Sequence, residues 1–162
     1  LHMEQIFTAE NIFFIERLGF AMLLGMAIGA ERIIAHKTAG MRTYSLVAMG
    51  SALFVIISEM IIDMHPGLDN NPAQIPSLVI SGVGFLGTGL MIWKDSKLFG
   101  LTTATSIWVA AGIGIACGFG FFELAVLATI LTLFIFVVLW FLENRLRHSS
   151  LVQHSDPEDF NI

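Results

Sequence analysis

The chain has 162 residues, a mean hydropathy of +0.80, 56% apolar residues and only 13% charged ones. Ordinary soluble domains carry about 25% charged residues, so the composition excludes that class and points to a polytopic membrane protein. A net charge of −5 gives no basis for neutralising nucleic-acid phosphates, and the single cysteine, Cys117, rules out a disulfide framework or a cysteine metal cage.

Leu1 and His2, ahead of Met3, read as an expression-vector remnant, and no basic stretch precedes the first apolar run, so no cleavable leader is expected. Five apolar runs then approach the roughly 20 residues that a membrane helix needs. They cover residues 13–34, 43–62, 76–93, 101–119 and 121–142. The last two are separated only by "GFGFFE". A single helix of about 40 residues would overshoot a ~30 Å hydrocarbon core twofold, so a hairpin is expected there. The expected fold is an all-α polytopic membrane bundle of about five transmembrane helices. Residues 1–11 form an extension, 12–147 the membrane domain, and 148–162 a polar tail expected to be disordered. No repeat and no second domain is evident.

Lys and Arg set the orientation. With five spans, Arg32, Lys37, Arg42, Lys94, Lys97, Arg145 and Arg147 share one side, and no basic residue lies in the loops of the other. The positive-inside rule then puts the N-terminus outside and the C-terminus in the cytoplasm. Arg17 is the remaining cation, at the outer end of span one. Thirteen uncharged residues separate it from Glu31. They cover about 20 Å, less than a ~30 Å core, so the charges at one or both ends sit inside the apolar slab. Such groups face protein or water. Gly25, Gly29 and Arg32 fall on one helical stripe, and a GxxxG pair admits a close neighbour. Arg32 should therefore emerge at a helix contact, with Arg42 beside it and Glu31 as counter-charge. The alternative is that these charges are interfacial anchors that snorkel.

On span two, Ala48, Ala52, Val55 and Glu59 share a stripe, so Glu59 points inward at the depth of Arg17 and reads first as its salt-bridge partner, second as a proton or cation site. Span three crowds Gly82, Gly84, Gly87 and Gly89 together, which suggests tight packing or, alternatively, a broken helix lining a cavity. In span four, Thr102, Thr105 and Ser106 lie on one face with Thr103 beside them, enough hydroxyls for a cap, for back-bonding or for a polar path. Gly114 and Gly118 continue that span as a close-packing ridge. The histidines are scattered through termini and loops and have no metal-ligand spacing. Asp63 and Asp69 read as solvated loop charges before they read as cation ligands. No nucleophile–base pair, HExxH motif or phosphate loop is present, so no enzyme, no resident metal and no cofactor is expected; Mg²⁺ is admitted without a ligand motif to support it.

The stretches "RLGFAMLLGMAIGAERIIAHKTAGMRTYSLVAMGSALF", "SGVGFLGTGLMI" and "GLTTATSIWVAAGIGIACGFG" resemble, in order and spacing, the MgtC/SapB family of bacterial inner-membrane proteins over roughly residues 12–142. The resemblance implies a helical domain of the inner membrane and an association with low magnesium, acid stress and survival inside host cells. The family's polar positions map to Arg17, Glu31, Arg32, Arg42, Thr43, Thr102, Thr103, Ser106 and Trp108. Two departures stand out: better-known members continue into a soluble C-terminal regulatory domain, whereas this chain stops soon after span five, and Ile33 replaces a second acidic residue after the Glu-Arg pair. Two functions fit. One is a regulator that contacts another membrane protein, such as an ATP synthase or a cation pump, and is itself homodimeric through its glycine faces. The other is a Mg²⁺ or proton transporter that uses the Glu31/Arg32/Arg42 cluster and the Thr102–Ser106 hydroxyls. Mg²⁺ wants carboxylates and keeps its water, and arginines repel it, so the regulator is the preferred reading.

Overall fold

The computed structural model describes residues 9–65, 71–94 and 96–147. The expected tail and the first residues of the N-terminal extension lie outside them. Helices dominate: α1 (Ala9–Ile34), α2 (Met41–Met64), α3 (Gln74–Leu90) and α4 (Leu101–Gly118). The last rod is α5 (Phe122–Phe134), a π-helical segment (Ile135–Leu139) and α6 (Trp140–Arg147). Four of these helices are long and apolar enough to cross a membrane, the last of them spanning Phe122–Leu146. The shorter α3, with 17 residues, covers about 25 Å. The chain is thus an all-α polytopic bundle.

The third apolar run ends earlier than its hydropathy suggests. α3 stops at Leu90, and β1 (Ile92–Lys94) pairs antiparallel with β2 (Lys97–Phe99), Trp93 opposite Leu98. A short apolar run with β-branched and aromatic residues reads equally as helix end or strand. The basic ends of the two strands favour a turn that keeps the lysines in water. Gly100 then closes the hairpin: its φ is +90°, and a Cβ there would run into the Leu90 carbonyl oxygen.

Both tight helix connections use the same stop signal. At the end of α1, His36 has φ 57°, its N–H reaches the Ile33 carbonyl at 3.0 Å, and the Lys37 N–H reaches that of Arg32 at 2.9 Å. At the end of α4, Gly120 has φ 77°, its N–H reaches Cys117 O at 2.9 Å, and Phe121 N–H reaches Ala116 O at 2.8 Å. Each is a Schellman arrangement, which satisfies the terminal carbonyls and turns the chain back. The "GFGFFE" joint is therefore the hairpin that length requires.

α4 is the central helix, buried along most of its length and packed on α1, α2, α3 and α5. Its approach to α2 is backbone to backbone. A Cβ on Gly114 would overlap the Ala48 carbonyl oxygen, and one on Gly118 would lie 2.6 Å from Val55 Cβ. Between α1 and α2 the approach is as close: a Cβ on Gly25 would lie 2.5 Å from the Tyr44 carbonyl oxygen, and one on Gly29 2.5 Å from Met41 Cα. In lipid no hydrophobic force drives helices together, so such close fit decides the pairing. α3 is held by one stripe, Pro76, Val83 and Gly87. Gly87 rests on Ala104, whereas Gly82, Gly84 and Gly89 meet nothing within 4 Å. The glycine crowding of α3 thus serves packing inside this chain only at Gly87, because the other three lie on the outward face beside the exposed Phe85.

The contrast between glycines is measurable. Gly114→Ala is expected to destabilise the bundle by about 1–3 kcal/mol through overpacking. Gly112→Ala, which meets open space, should be neutral or mildly stabilising through helix propensity. Thermal unfolding of both variants in detergent checks this.

Candidate functional site

α1 presents one buried stripe: Arg17, Ala21, Gly25, Ile28, Gly29 and Arg32. Its two arginines are fifteen positions apart, hence about 22 Å, and each organises one end of the bundle.

At the first end Arg17 is only 8% exposed. Its Nη1 forms an ion pair with Glu59 of α2 and donates to the Gly118 carbonyl at 2.6 Å. That carbonyl belongs to the last turn of α4, where the helix dipole is negative. The guanidinium also stacks over the Phe13 ring at 4.0 Å, and its Nε is buried without a partner. Gly120 lies alongside: a Cβ there would sit 3.6 Å from Nη2. Phe13, Phe14, Arg17, Glu59, Met60, Asp63 and Met64 line a half-open cleft of about 460 Å³.

At the other end Arg32 is 4% exposed. Its Nε donates to Glu31 Oε2 at 2.6 Å and its Nη2 to Oε1 at 3.0 Å, a bidentate pair with its own neighbour in sequence. Phe136, from the π-helical segment, covers the guanidinium at 3.7 Å, and Nη1 is buried without a partner. π segments occur often at functional sites. Nearby, the fully buried Tyr44 hydroxyl meets Ser106 Oγ. Ser106 donates onward to the Thr103 carbonyl at 2.9 Å, which makes Tyr44 the donor in that pair. These contacts also fix the topology. Arg17 gathers the N-terminal part of α1 with the C-terminal ends of α2 and α4. The Tyr44–Ser106 bond puts the N-termini of α2 and α4 together at the opposite end.

The structure buries Arg17, Arg32, Thr103 and Ser106, holds Glu59 and Glu31 part-exposed against the two arginines, and leaves others out. Arg42 does not join Arg32: it is exposed and has no ion pair among the described residues. The reason is helical phase. Met41 packs on Gly29, and the next residue turns about 100° away, so Arg42 takes the interfacial position instead. Thr43 is half-buried. The expected hydroxyl face of α4 is split. Thr103 and Ser106 point inward, while Thr102, Thr105 and Trp108 are exposed, and Thr105 bonds back to Leu101 O at 2.8 Å. Sequence reasoning missed Phe13, Phe136 and Tyr44. Tyr44 had a signal, being the one tyrosine in the chain; Phe136, one of fourteen phenylalanines, had none. Among the described residues no three of His, Cys, Asp and Glu converge to hold a metal.

Comparison with known proteins gives a consistent answer. The MgtC family profile matches residues 18–145. The chain is 42% identical over 149 residues to the "Putative magnesium transporter YhiD" of Escherichia coli K12, covering 88% of this chain and 66% of that protein. It is 44% identical over 113 residues to "Protein MgtC" of Salmonella typhimurium LT2, covering 70% of this chain and 46% of that protein. A Synechocystis protein, slr0014, is 41% identical over 117 residues, 72% of this chain and 48% of that one. The chain therefore spans between about half and two thirds of the length of these curated relatives. No solved structure matches.

Glu31 and Arg42 make a discriminating pair of variants. Glu31→Gln strips a buried guanidinium of its counter-charge and should lower stability by about 3 kcal/mol. Arg42→Gln should stay within about 0.5 kcal/mol of the parent, as exposed substitutions do. Equal losses in detergent unfolding would contradict the geometry.

Proposed function

The chain belongs to the MgtC family, and from that premise we propose that it is a bacterial inner-membrane protein of magnesium homeostasis that regulates another membrane protein by contact. The names of its relatives support the magnesium link, and the low-magnesium, acid-stress and intracellular-survival associations come with the family resemblance. One observation favours a regulator over a conduit. Between the two arginines the bundle is shut by apolar side chains and backbone. Ala21, Ile28, Ala48, Ala52, Ile113 and Cys117 fill the axis, and Gly114 lies against the Ala48 carbonyl. A hydrated divalent cation needs oxygen ligands along its path. The inward hydroxyls of Ser51, Ser106, Thr129 and Thr132 all bond within their own helices at 2.7–2.9 Å.

The second reading, a Mg²⁺ or proton carrier built on Glu31, Arg32 and the α4 hydroxyls, is favoured by the printed name of the Escherichia coli relative. Purified protein in liposomes decides between them. The regulator shows no saturable Mg²⁺ or proton flux. Flux abolished by Glu31→Gln would establish the carrier.

Orientation follows the basic residues. Arg32, Lys37, Arg42, Lys94, Lys97 and Arg145 belong to the end that holds Tyr44 and Ser106, so that end is placed in the cytoplasm and the Arg17 end in the periplasm. Cys117 is fully buried and gives no background. Lys97→Cys should therefore resist a membrane-impermeant maleimide on intact cells, and Asp63→Cys should react. The opposite pattern would invert the topology.

A further inference from the structure

We propose that the β1–β2 hairpin is a lipid-docking element. It stands upright in the hydrated headgroup layer of the bilayer, its apolar base on the upper acyl chains and its two tip lysines on phospholipid phosphates. The inference is independent of the magnesium reading and of which leaflet holds the hairpin.

Water is a poor medium for this ribbon. All six strand residues are exposed, Trp93 at 72%. Directly opposed residues share a face, and successive residues alternate between faces. The register therefore puts Ile92 with Phe99 on one face and Trp93 with Leu98 on the other. Each face presents a large apolar pair to its surroundings. A lone two-stranded hairpin is marginal in water at best, and apolar surface on both sides drives it out of water.

The hydrocarbon core is closed to it as well. In a two-stranded sheet each strand keeps a free edge. Unpaired backbone N–H and C=O groups do not face lipid within the hydrocarbon region. The layer between core and water meets both demands, and it is where tryptophan concentrates.

Lengths place the hairpin in that layer. α3 carries no charged residue and covers about 25 Å, some 5 Å short of a ~30 Å core. The chain that follows it thus starts near the core boundary. From Ile92 to Lys94 the strand rises about 7 Å, and the headgroup layer adds roughly 5–8 Å on each side of the core. The ribbon is amphipathic along its length, because the lysines occupy only its tip. The exposed Phe85 and Leu86 of α3 and Leu101 and Trp108 of α4 extend the apolar surface beyond its base.

The tip fits an anionic oxygen. Lys94 and Lys97 stand directly opposite each other, and like charges so placed are unfavourable on their own. The tip sequence, Lys-Asp-Ser-Lys, keeps a net positive charge by count. A lipid phosphate accepts charge-assisted hydrogen bonds from ammonium groups, and long lysine stems let the heads reach it from an apolar base.

Depth measurements on the full chain in phospholipid nanodiscs test the proposal. Trp108→Phe and Trp140→Phe together leave Trp93 as the one tryptophan, and thermal unfolding verifies that this variant folds. Its fluorescence should be quenched about twice as strongly by bromines high on the acyl chain as by bromines near the methyl end, as a site roughly 15 Å from the midplane requires. A nitrobenzoxadiazole label on Lys97→Cys should be fully reduced by dithionite; the buried Cys117 gives no background. Quenching of Trp93 by aqueous acrylamide without quenching by brominated lipid would overturn the proposal, because the hairpin would then project into water. Quenching by neither would overturn it by showing a protein cover, and stronger quenching by the deep bromines would put the ribbon in the core. A Lys97 label shielded from dithionite would rule out the upright stance.

Discussion

A guanidinium cannot shed its proton in a protein, so wherever the chain places arginine within an apolar slab, the slab must be rebuilt around it. α1 carries two such residues about 22 Å apart, and the rest of the bundle is arranged to receive them. Arg17 draws in a carboxylate from α2 and the terminal carbonyl of α4. Arg32 uses its own neighbour, Glu31, for charge and takes an aromatic cover from the last rod. Arg17 thereby fixes the longitudinal register of α2 and α4 against α1, together with Ser45 of α2, whose hydroxyl donates to the Met22 carbonyl at 3.2 Å. Sliding α4 by one turn would remove Gly118 O from Arg17 and leave a buried charge short of an acceptor, the expensive failure for ion pairs out of water.

These polar contacts are reachable only because the helices stand unusually close. Ordinary helix pairs pack 8–10 Å apart. The Gly25–Gly29 and Gly114–Gly118 pairs remove the side chains that would enforce that spacing, and carbonyls and Cα atoms fill the gap instead. Gly118 does two jobs at once. Its missing Cβ admits Val55 and Ala52, and its carbonyl accepts from Arg17. Substitution there would thus disturb packing and charge together, so the small-residue ridges and the ionic ends form one design.

Much of this was legible in the residues. The apolar runs located the long helices, and the need to fit a ~30 Å core imposed the hairpin at Gly120. Counting around α1 from Gly25 and Gly29 turned Arg32 inward, and the Ala48–Ala52–Val55 stripe put Glu59 at the depth of Arg17. The failures have physical causes. Proximity across a loop suggested Arg42 beside Arg32, but contact depends on helical phase, and the phase at Met41 sends Arg42 outward. The glycines of α3 read as packing surface, yet only Gly87 meets a neighbour in this chain. The β1–β2 hairpin was hidden because Ile-Trp-Lys is as apolar as a helix end. Phe136 was hidden because nothing marks one phenylalanine in an apolar run as the lid of a charge.

The two ends solve the same electrostatic problem differently, and the difference bears on function. At both, one guanidinium nitrogen stays unbonded, a cost on the order of 1–3 kcal/mol. At both, an aromatic face supplies an offset of about 2 kcal/mol where the pair is desolvated. Around Arg32 a bidentate carboxylate, a ring above and the buried Tyr44–Ser106 bond alongside enclose the guanidinium, with Nη1 left without a partner. Around Arg17 the partner carboxylate is a third exposed, and a cleft with a second carboxylate at its rim reaches the surroundings. The Arg32 end therefore behaves as a clasp that holds the helices in register. The Arg17 end, by contrast, keeps open volume beside its guanidinium, lined by Glu59 and Asp63.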